Sequence, residues 1–195
     1  MPPDELIARL RLALDAKGDR RVNCDMVGCG TRAAAVLVPV VFQAGEARVL
    51  LTRRTEHLHH HPGQISFPGG RAEPEDHLLS VTALRETREE IGLAEERVEL
   101  LGTLPTFQTG TGFQVTPFVG IVETPFTLVP DAFEVAEVFE VPLAHFLDPV
   151  NHQRYRKIIN GQWREFHAMP YGDYFIWGAT AAILHSLYRC VTAEI

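Results

Sequence analysis

The 195-residue sequence predicts an α+β fold, a mixed β-sheet combined with helices, plus an N-terminal helical extension. Three observations carry that expectation. Runs rich in β-branched residues recur between residues 33 and 141. Two helical patterns, at 76–91 and 174–189, accompany them. No internal repeat or low-complexity tract breaks the chain. The length suits one domain, with residues 1–32 as the extension and 33–190 as the globular domain.

Residues 4–16 read as a short amphipathic helix. Asp4 caps it, Leu6, Ile7, Leu10 and Leu14 form its apolar stripe, and Gly18 stops it. A polar, glycine-containing stretch follows to residue 31. The runs AAAVLVPVVF and ARVLLTRR are β-like, and their junction at 43–46, with Gly45, suits a hairpin. Residues 55–74 are rich in His, Gly and Pro and read as loop around a short strand at 64–67. Residues 76–91 form the best helical pattern, with Asp76 as acidic cap and Gly92 as stop. Strand-like segments recur at 98–104, 114–122 and 137–141. Residues 174–189 read as a buried final helix with Ile176, Ala179, Ile183 and Leu187 on one side, and Trp177 in the core.

Composition narrows the function. Hydrophobic residues at 46% and charged residues at 22% exclude dominant disorder. The net charge of -7 argues against a nucleic-acid partner, which wants a Lys/Arg-rich face. An anionic ligand would need local positive charge or a metal. The longest apolar stretch, 33–42, is too short to span a bilayer, and the acidic, proline-rich start is no signal peptide. The expectation is a cytoplasmic protein with no membrane partner. Cys24, Cys29 and Cys190 read as reduced thiols rather than a disulfide framework. Neighbouring loop histidines such as His57, His59, His60 and His61 rarely point together, which speaks against zinc.

The helix at 76–91 carries the chemistry. Glu86, Glu89 and Glu90 stand at i, i+3 and i+4, within an arc of about 100° on a helix. Leu84 and Ile91, with Val81 nearby, lie on the other side and can pack on a sheet, with Arg88 falling toward them. Converging carboxylates repel, at roughly 0.2–0.5 kcal/mol per exposed i,i+4 pair, unless a cation sits among them. Oxygen donors favour Mg²⁺ or Mn²⁺ over zinc. Arg85 can orient Glu89 four residues on, and the Gly69-Gly70 turn lets a backbone carbonyl approach as a further ligand. A lone E-x-x-E-E is usually a solvated face. Arg-Glu-x-x-Glu-Glu arises by chance on the order of once in several hundred chains of this length, which shifts the balance toward function.

The segment GGRAEPEDHLLSVTALRETREEIGL resembles the Nudix box, G-x5-E-x7-R-E-U-x-E-E-x-G-U, where U is apolar. Arg85, Glu86, Glu89, Glu90, Gly92 and Leu93 match, and Thr87 stands at a usually apolar position. At the front, Gly70 and Asp76 fit, with one extra residue between Asp76 and Arg85. The resemblance implies an α/β/α sandwich and metal-dependent hydrolysis of a pyrophosphate bond. It makes Glu86 and Glu90 the first metal ligands. Glu89 completes the shell or holds a water, and Gly70 is a further ligand.

Just upstream, LLTRRTEHLHHHPGQISFPGG resembles the coenzyme A pyrophosphatase signature, L-L-T-x-R-[SA]-x3-R-x3-G-x3-F-P-G-G. Leu50, Leu51, Thr52, Arg54, Gly63, Phe67, Pro68, Gly69 and Gly70 match in register. Thr55 replaces Ser/Ala, and His59 replaces Arg. The resemblance implies a small-molecule substrate of the coenzyme A class, cleaved to 3′,5′-ADP and 4′-phosphopantetheine or its acyl form. Arg53, Arg54, His59 and Arg71 are the substrate-binding candidates. Glu89, Arg85 and Glu134 are the catalytic candidates, with Glu134 and Glu137 competing as general base. Phe107, Phe113 and Phe118, around Gly110 and Gly112, either stack on adenine or fill the core. Two other functions stay open: a Nudix hydrolase of another nucleoside diphosphate derivative, favoured by His59, and a non-catalytic binding module. The N-terminal arm packs on the domain, gates the pocket or supports a homodimer.

Overall fold

The computed structural model describes residues 2–14, 32–58, 61–159 and 161–193. The expected hairpin is present: β1 (Arg32–Gln43) runs antiparallel to β2 (Glu46–Arg54), with Gln43 opposite Glu46. Ala44 and Gly45 both have positive φ, 50° and 82°. A two-residue hairpin turn demands that combination, because its twist then matches that of the strands.

β1 organises an eight-stranded mixed sheet. It pairs antiparallel with β4 (Gly69–Arg71) and parallel with β7 (Phe113–Val122). β2 also pairs with β3 (Ile65–Ser66) and β8 (Val135–Pro142). β7 also pairs with β5 (Val98–Thr103) and β6 (Phe107–Gln108). The apolar run of β1 is nearly continuous because both faces of the strand are covered. Ala35, Leu37 and Val41 pack with Leu79, Ala83 and Ile91 of α2 (Leu79–Ile91). Ala34, Val38 and Val40 pack with Leu6 and Leu10 of α1 (Pro3–Ala13) and with Ile183, Leu184 and Leu187 near the C-terminus. The sheet is thus sandwiched between helical layers.

α1 begins at Pro3 behind Pro2, without a side-chain cap, so Asp4 lies inside the first turn rather than capping it. The Pro at the first helical position supplies a preset φ. Gly18 lies outside the described residues. Leu6, Leu10 and Leu14 are buried, each contributing about 1.5–3 kcal/mol of transfer free energy. An ion pair between Arg11 and Glu99 ties α1 to β5.

After α3 (Leu143–Leu147), two strands missing from the sequence reading form a separate hairpin, β9 (Gln153–Ile159) and β10 (Gln162–Ala168). The Asn-Gly pair at 160–161 was the available signal. The final helix, α4 (Ala179–Thr192), starts later than expected. Gly178, at φ 68°, sets its beginning, and Ile176 is buried ahead of it, its carbonyl accepting from Met169 N–H. Trp177 is half-buried rather than core, its ring edge-on to Phe166 at 5.2 Å. Among the described residues no helix is long and apolar enough to cross a membrane.

Candidate active site

α2 starts at Leu79, three residues after Asp76, which caps nothing. The Asp76 carboxylate is buried and accepts from Glu73 N–H at 3.0 Å, the Thr82 hydroxyl at 2.9 Å, and Arg85 Nε and Nη2 at 3.1 and 2.9 Å. Burial pushes this carboxyl up. The hydrogen bonds, Arg85's first, outweigh it and hold Asp76 below the usual carboxylate range. Arg85 Nη1 then reaches Glu86 Oε1 at 3.1 Å and Glu89 Oε2 at 3.0 Å, as the i,i+4 spacing to Glu89 suggests. Arg85 Nη2 also donates to the Arg71 carbonyl at 3.2 Å, joining α2 to β4.

The apolar and acidic faces of α2 are not opposite, as the helical arc alone suggests. Its packing face is small: Ala83 and Thr87 press on the sheet, and Glu90 is buried beside them. Val81 is exposed and Leu84 half-buried at the flank, while Arg88 is exposed and paired with Glu95 at 3.1 Å. Thr87 takes the usually apolar position by donating its hydroxyl to the Ala83 carbonyl at 2.6 Å, so it enters the core without an unmet polar group.

The Phe-Pro-Gly-Gly run is what Glu86 and Glu90 face. Phe67 is core, and the Pro68 carbonyl accepts from Leu37 N–H. Gly69, at φ 145°, lies so close to β1 that a Cβ would fall 2.4 Å from the Ala35 carbonyl. Its N–H donates to Glu90 Oε2 at 3.1 Å. A Cβ on Gly70 would fall 2.4 Å from Glu86 Oε2, so glycine leaves the space the carboxylate occupies. Glu86 and Glu90 thus flank one backbone turn. Burial pushes Glu90 up to about 8, and Glu134 and Glu86 add repulsion, against the help of Gly69 N–H and Arg54. Burial also raises Glu86, with Arg85 opposing.

Arg54 and Glu134 form the outer wall. Arg54 Nη1 lies 3.6 Å from Glu90 Oε1, and Nη2 lies 4.0 Å from Glu134 Oε2. The turn carrying Glu134 is fastened to the end of β2: Thr55 N–H donates to the Glu134 carbonyl, and the Thr55 hydroxyl to the Phe133 carbonyl at 2.8 Å. Thr55, a departure from the coenzyme A signature, uses that hydroxyl here. Strand alternation separates Arg53 from Arg54. Arg53 pairs with Glu137 at 3.1 Å, and Glu137 accepts from the Tyr174 hydroxyl at 2.7 Å, so the structure does not bring these two to the cluster. Arg71 is exposed on β4, and Glu89 sits at the solvent rim. His59 lies outside the described residues. Gly63 has φ 66° and faces the Glu56 carboxylate, which would meet any Cβ there.

Phe118 is core, and Phe107 and Phe113 are partly buried against the α1/α4 layer, Phe113 with the Arg32 guanidinium 4.0 Å from its ring centre. Among the described residues no three acidic or imidazole side chains already close a metal cage. The arrangement is an open cradle: two desolvated carboxylates at a glycine turn, a third at the rim and one across the mouth. Those oxygens suit a divalent cation, which would offset the burial, and after it the like charges, that raise Glu90.

The NUDIX domain pattern matches residues 31–162. Over 187 residues the chain is 39% identical to a Yersinia enterocolitica protein named uncharacterized Nudix hydrolase NudL, spanning 96% of this chain and 92% of that one. A Yersinia pestis protein of the same name is 36% identical over 188 residues, 96% and 94% of the two chains. The crystal structure of a Nudix hydrolase from Alicyclobacillus acidocaldarius matches with a TM-score of 0.56 at 22% identity, over 84% of this chain and 94% of that one. That likeness speaks for the fold. With the domain pattern covering the sheet and α2, and such relatives along nearly its whole length, the chain belongs to the Nudix hydrolase family.

Proposed function

We propose that the protein hydrolyses the pyrophosphate bond of coenzyme A or a derivative, using Mg²⁺ or Mn²⁺ and releasing 3′,5′-ADP and 4′-phosphopantetheine or its acyl form. The observation that supports this substrate is segment 50–70. It matches the coenzyme A pyrophosphatase signature at nine positions in register, and it supplies Arg54, Gly69 and Gly70 to the cradle.

Glu86 and Glu90 would hold the cation, with Glu89 completing the shell or holding a water. When bound, the cation neutralises phosphate oxygens and polarises phosphorus. Everything else falls to the chain. Arg85, anchored by Asp76, keeps Glu86 and Glu89 in place. Arg54 offsets the charge of Glu90 and Glu134, and exposed Arg71 offers a cation to the anionic substrate. Glu134 takes the proton of the attacking water as its oxygen bonds to phosphorus and the bridging oxygen leaves. His59, at the place of the signature's arginine, favours one second reading: a different nucleoside diphosphate derivative as substrate.

The test is incubation with coenzyme A and Mg²⁺ or Mn²⁺, with products resolved by chromatography. Formation of 3′,5′-ADP and phosphopantetheine, abolished by chelator and by Glu86→Gln, is the expected result. Intact coenzyme A alongside cleavage of NADH or ADP-ribose would replace the first reading by the second.

A further inference from the structure

Phe118 is core, and Phe107 and Phe113 pack partly buried against the α1/α4 layer, which leaves other rings more open to a nucleobase. Tyr155 and Trp163 are exposed but belong to the β9–β10 hairpin, which among the described residues forms its own two-stranded sheet. Phe133 differs from both groups. It is 64% exposed and immediately precedes Glu134, whose carboxylate faces Arg54 at the mouth of the cradle.

A single exposed apolar side chain normally needs no explanation. Phe133 stands on unusually fixed backbone. Its N–H donates to Asp131 Oδ1 at 2.9 Å, and its carbonyl accepts from the Thr55 hydroxyl at 2.8 Å. Asp131 N–H donates to the Glu90 carbonyl at 2.9 Å, and Glu134 N–H to the Asp131 carbonyl at 3.1 Å. The turn is therefore tied both to the end of β2 and to the last turn of α2. The His57 ring lies against it, with centroids 4.8 Å apart and planes tilted by 58°, within the range of aromatic pairing. An exposed aromatic one residue from a charged mouth can hold a base by its π-face while charge holds the phosphates.

We propose that Phe133 is the stacking platform for the substrate's nucleobase. The proposal rests on reading the cradle as a site for nucleoside diphosphate derivatives, and it adds the residue that recognises the base. Stacking is tolerant of base identity, so Phe133 supplies affinity for a nucleotide over a bare pyrophosphate rather than a choice of base.

The test is calorimetric binding of two probes, ADP and inorganic pyrophosphate, to the full chain in Mg²⁺. Wild-type protein is expected to bind ADP more tightly than pyrophosphate. Phe133→Ala should weaken ADP about tenfold, the scale of losing one base–aromatic stack, and leave pyrophosphate within about twofold. Phe133→Trp should keep ADP binding near wild type. A wild-type protein that holds ADP no more tightly than pyrophosphate, including one that holds neither, overturns the proposal. So does an equal loss of both probes in Phe133→Ala, unchanged ADP binding, or a loss that Trp does not restore. Coenzyme A hydrolysis is read separately. If coenzyme A stays intact while the ADP pattern holds, the substrate reading falls and the platform stands. If it is cleaved while Phe133→Ala binds ADP normally, the platform falls and the substrate reading stands.

Discussion

Asp76 grips Arg85 through two parallel hydrogen bonds, Nε to Oδ1 at 3.1 Å and Nη2 to Oδ2 at 2.9 Å, with the aspartate only 4% exposed. The third corner of the guanidinium spans Glu86 and Glu89. A carboxylate outside the cradle thereby sets where two of its glutamates stand, and the fork shape of arginine makes this possible where lysine would not.

Asp76→Ala should therefore be costly. It leaves Arg85 without its buried partner, and removing one member of such a pair destabilises by about 3 kcal/mol. Urea unfolding measures this directly. A loss below about 1 kcal/mol would mean that Glu86 and Glu89 suffice to hold Arg85. Turnover should fall further than stability explains, because both glutamates lose their shared anchor.

The metal-free protein should lose stability as pH rises. Glu90 is pushed up to about 8, chiefly by burial, and Glu86 is raised for the same first reason. For a carboxyl raised on folding, the cost is absent below the unfolded pKa near 4.5 and fully present above the folded one. Stability in chelator should thus decline between about pH 4.5 and 8. Asp76 acts oppositely: its contribution is present above its unfolded pKa and lost as pH falls through its depressed folded value. Melting in chelator should drop by roughly 5 °C from pH 5 to 8.5, and Mg²⁺ should recover more of it at pH 8.5 than at pH 6. A flat metal-free profile, or Glu90→Gln showing the same slope, would contradict the assignment.

Much of this was legible in residue order. β-Branched runs and Gly45 give the β1–β2 hairpin, and the i, i+3, i+4 glutamates mark the acidic stretch of α2. The rest depends on contacts distant in sequence. Helical spacing groups Glu90 with Glu86 and Glu89 but does not show its burial, because the turn that covers it, Gly69-Gly70, is placed by pairing with Ala35 and Val36 on β1. Asp76 looked like a cap because its partners, Thr82 and Arg85, are met only once the preceding turn folds back. Phe133 carried no periodic signal, and its setting depends on Thr55, 78 residues away. The hairpin β9–β10 does carry a local signal, Asn-Gly at 160–161 between its two runs.

The two glycines should separate fold from site. Gly69→Ala forces a Cβ to within 2.4 Å of a backbone carbonyl at a φ of 145°, and neither neighbour can yield without moving β1. Overpacking and strain of that kind cost about 1–3 kcal/mol or more. The nearest atoms to a Cβ at Gly70 are the end of the Glu86 side chain, which can swing aside. The melting temperature of Gly70→Ala should stay within a few degrees of wild type, while metal affinity and turnover fall at least about tenfold, as expected when a ligand is misplaced. Equal stability losses in both variants would show that the Gly70 contact is structural.

Glu134 and Glu137 are both acidic and three residues apart, yet the structure gives them different work. Glu137 spends its carboxylate on Arg53 and the Tyr174 hydroxyl, on the face of β2 away from Arg54. Glu134 is left half-exposed across from Glu90, with only a 4.0 Å approach from Arg54. A base must reach water and keep its lone pairs free, and of these two Glu134 is the one that does. Glu134→Gln should lower kcat by about 10²–10⁴-fold, with KM little changed. Glu137→Gln should keep kcat within a few-fold and lower stability by about 0.5–1 kcal/mol through its weakened surface pair. The reverse ranking would move the proton-accepting role to Glu137 and require the Arg53–Tyr174 network to open during turnover.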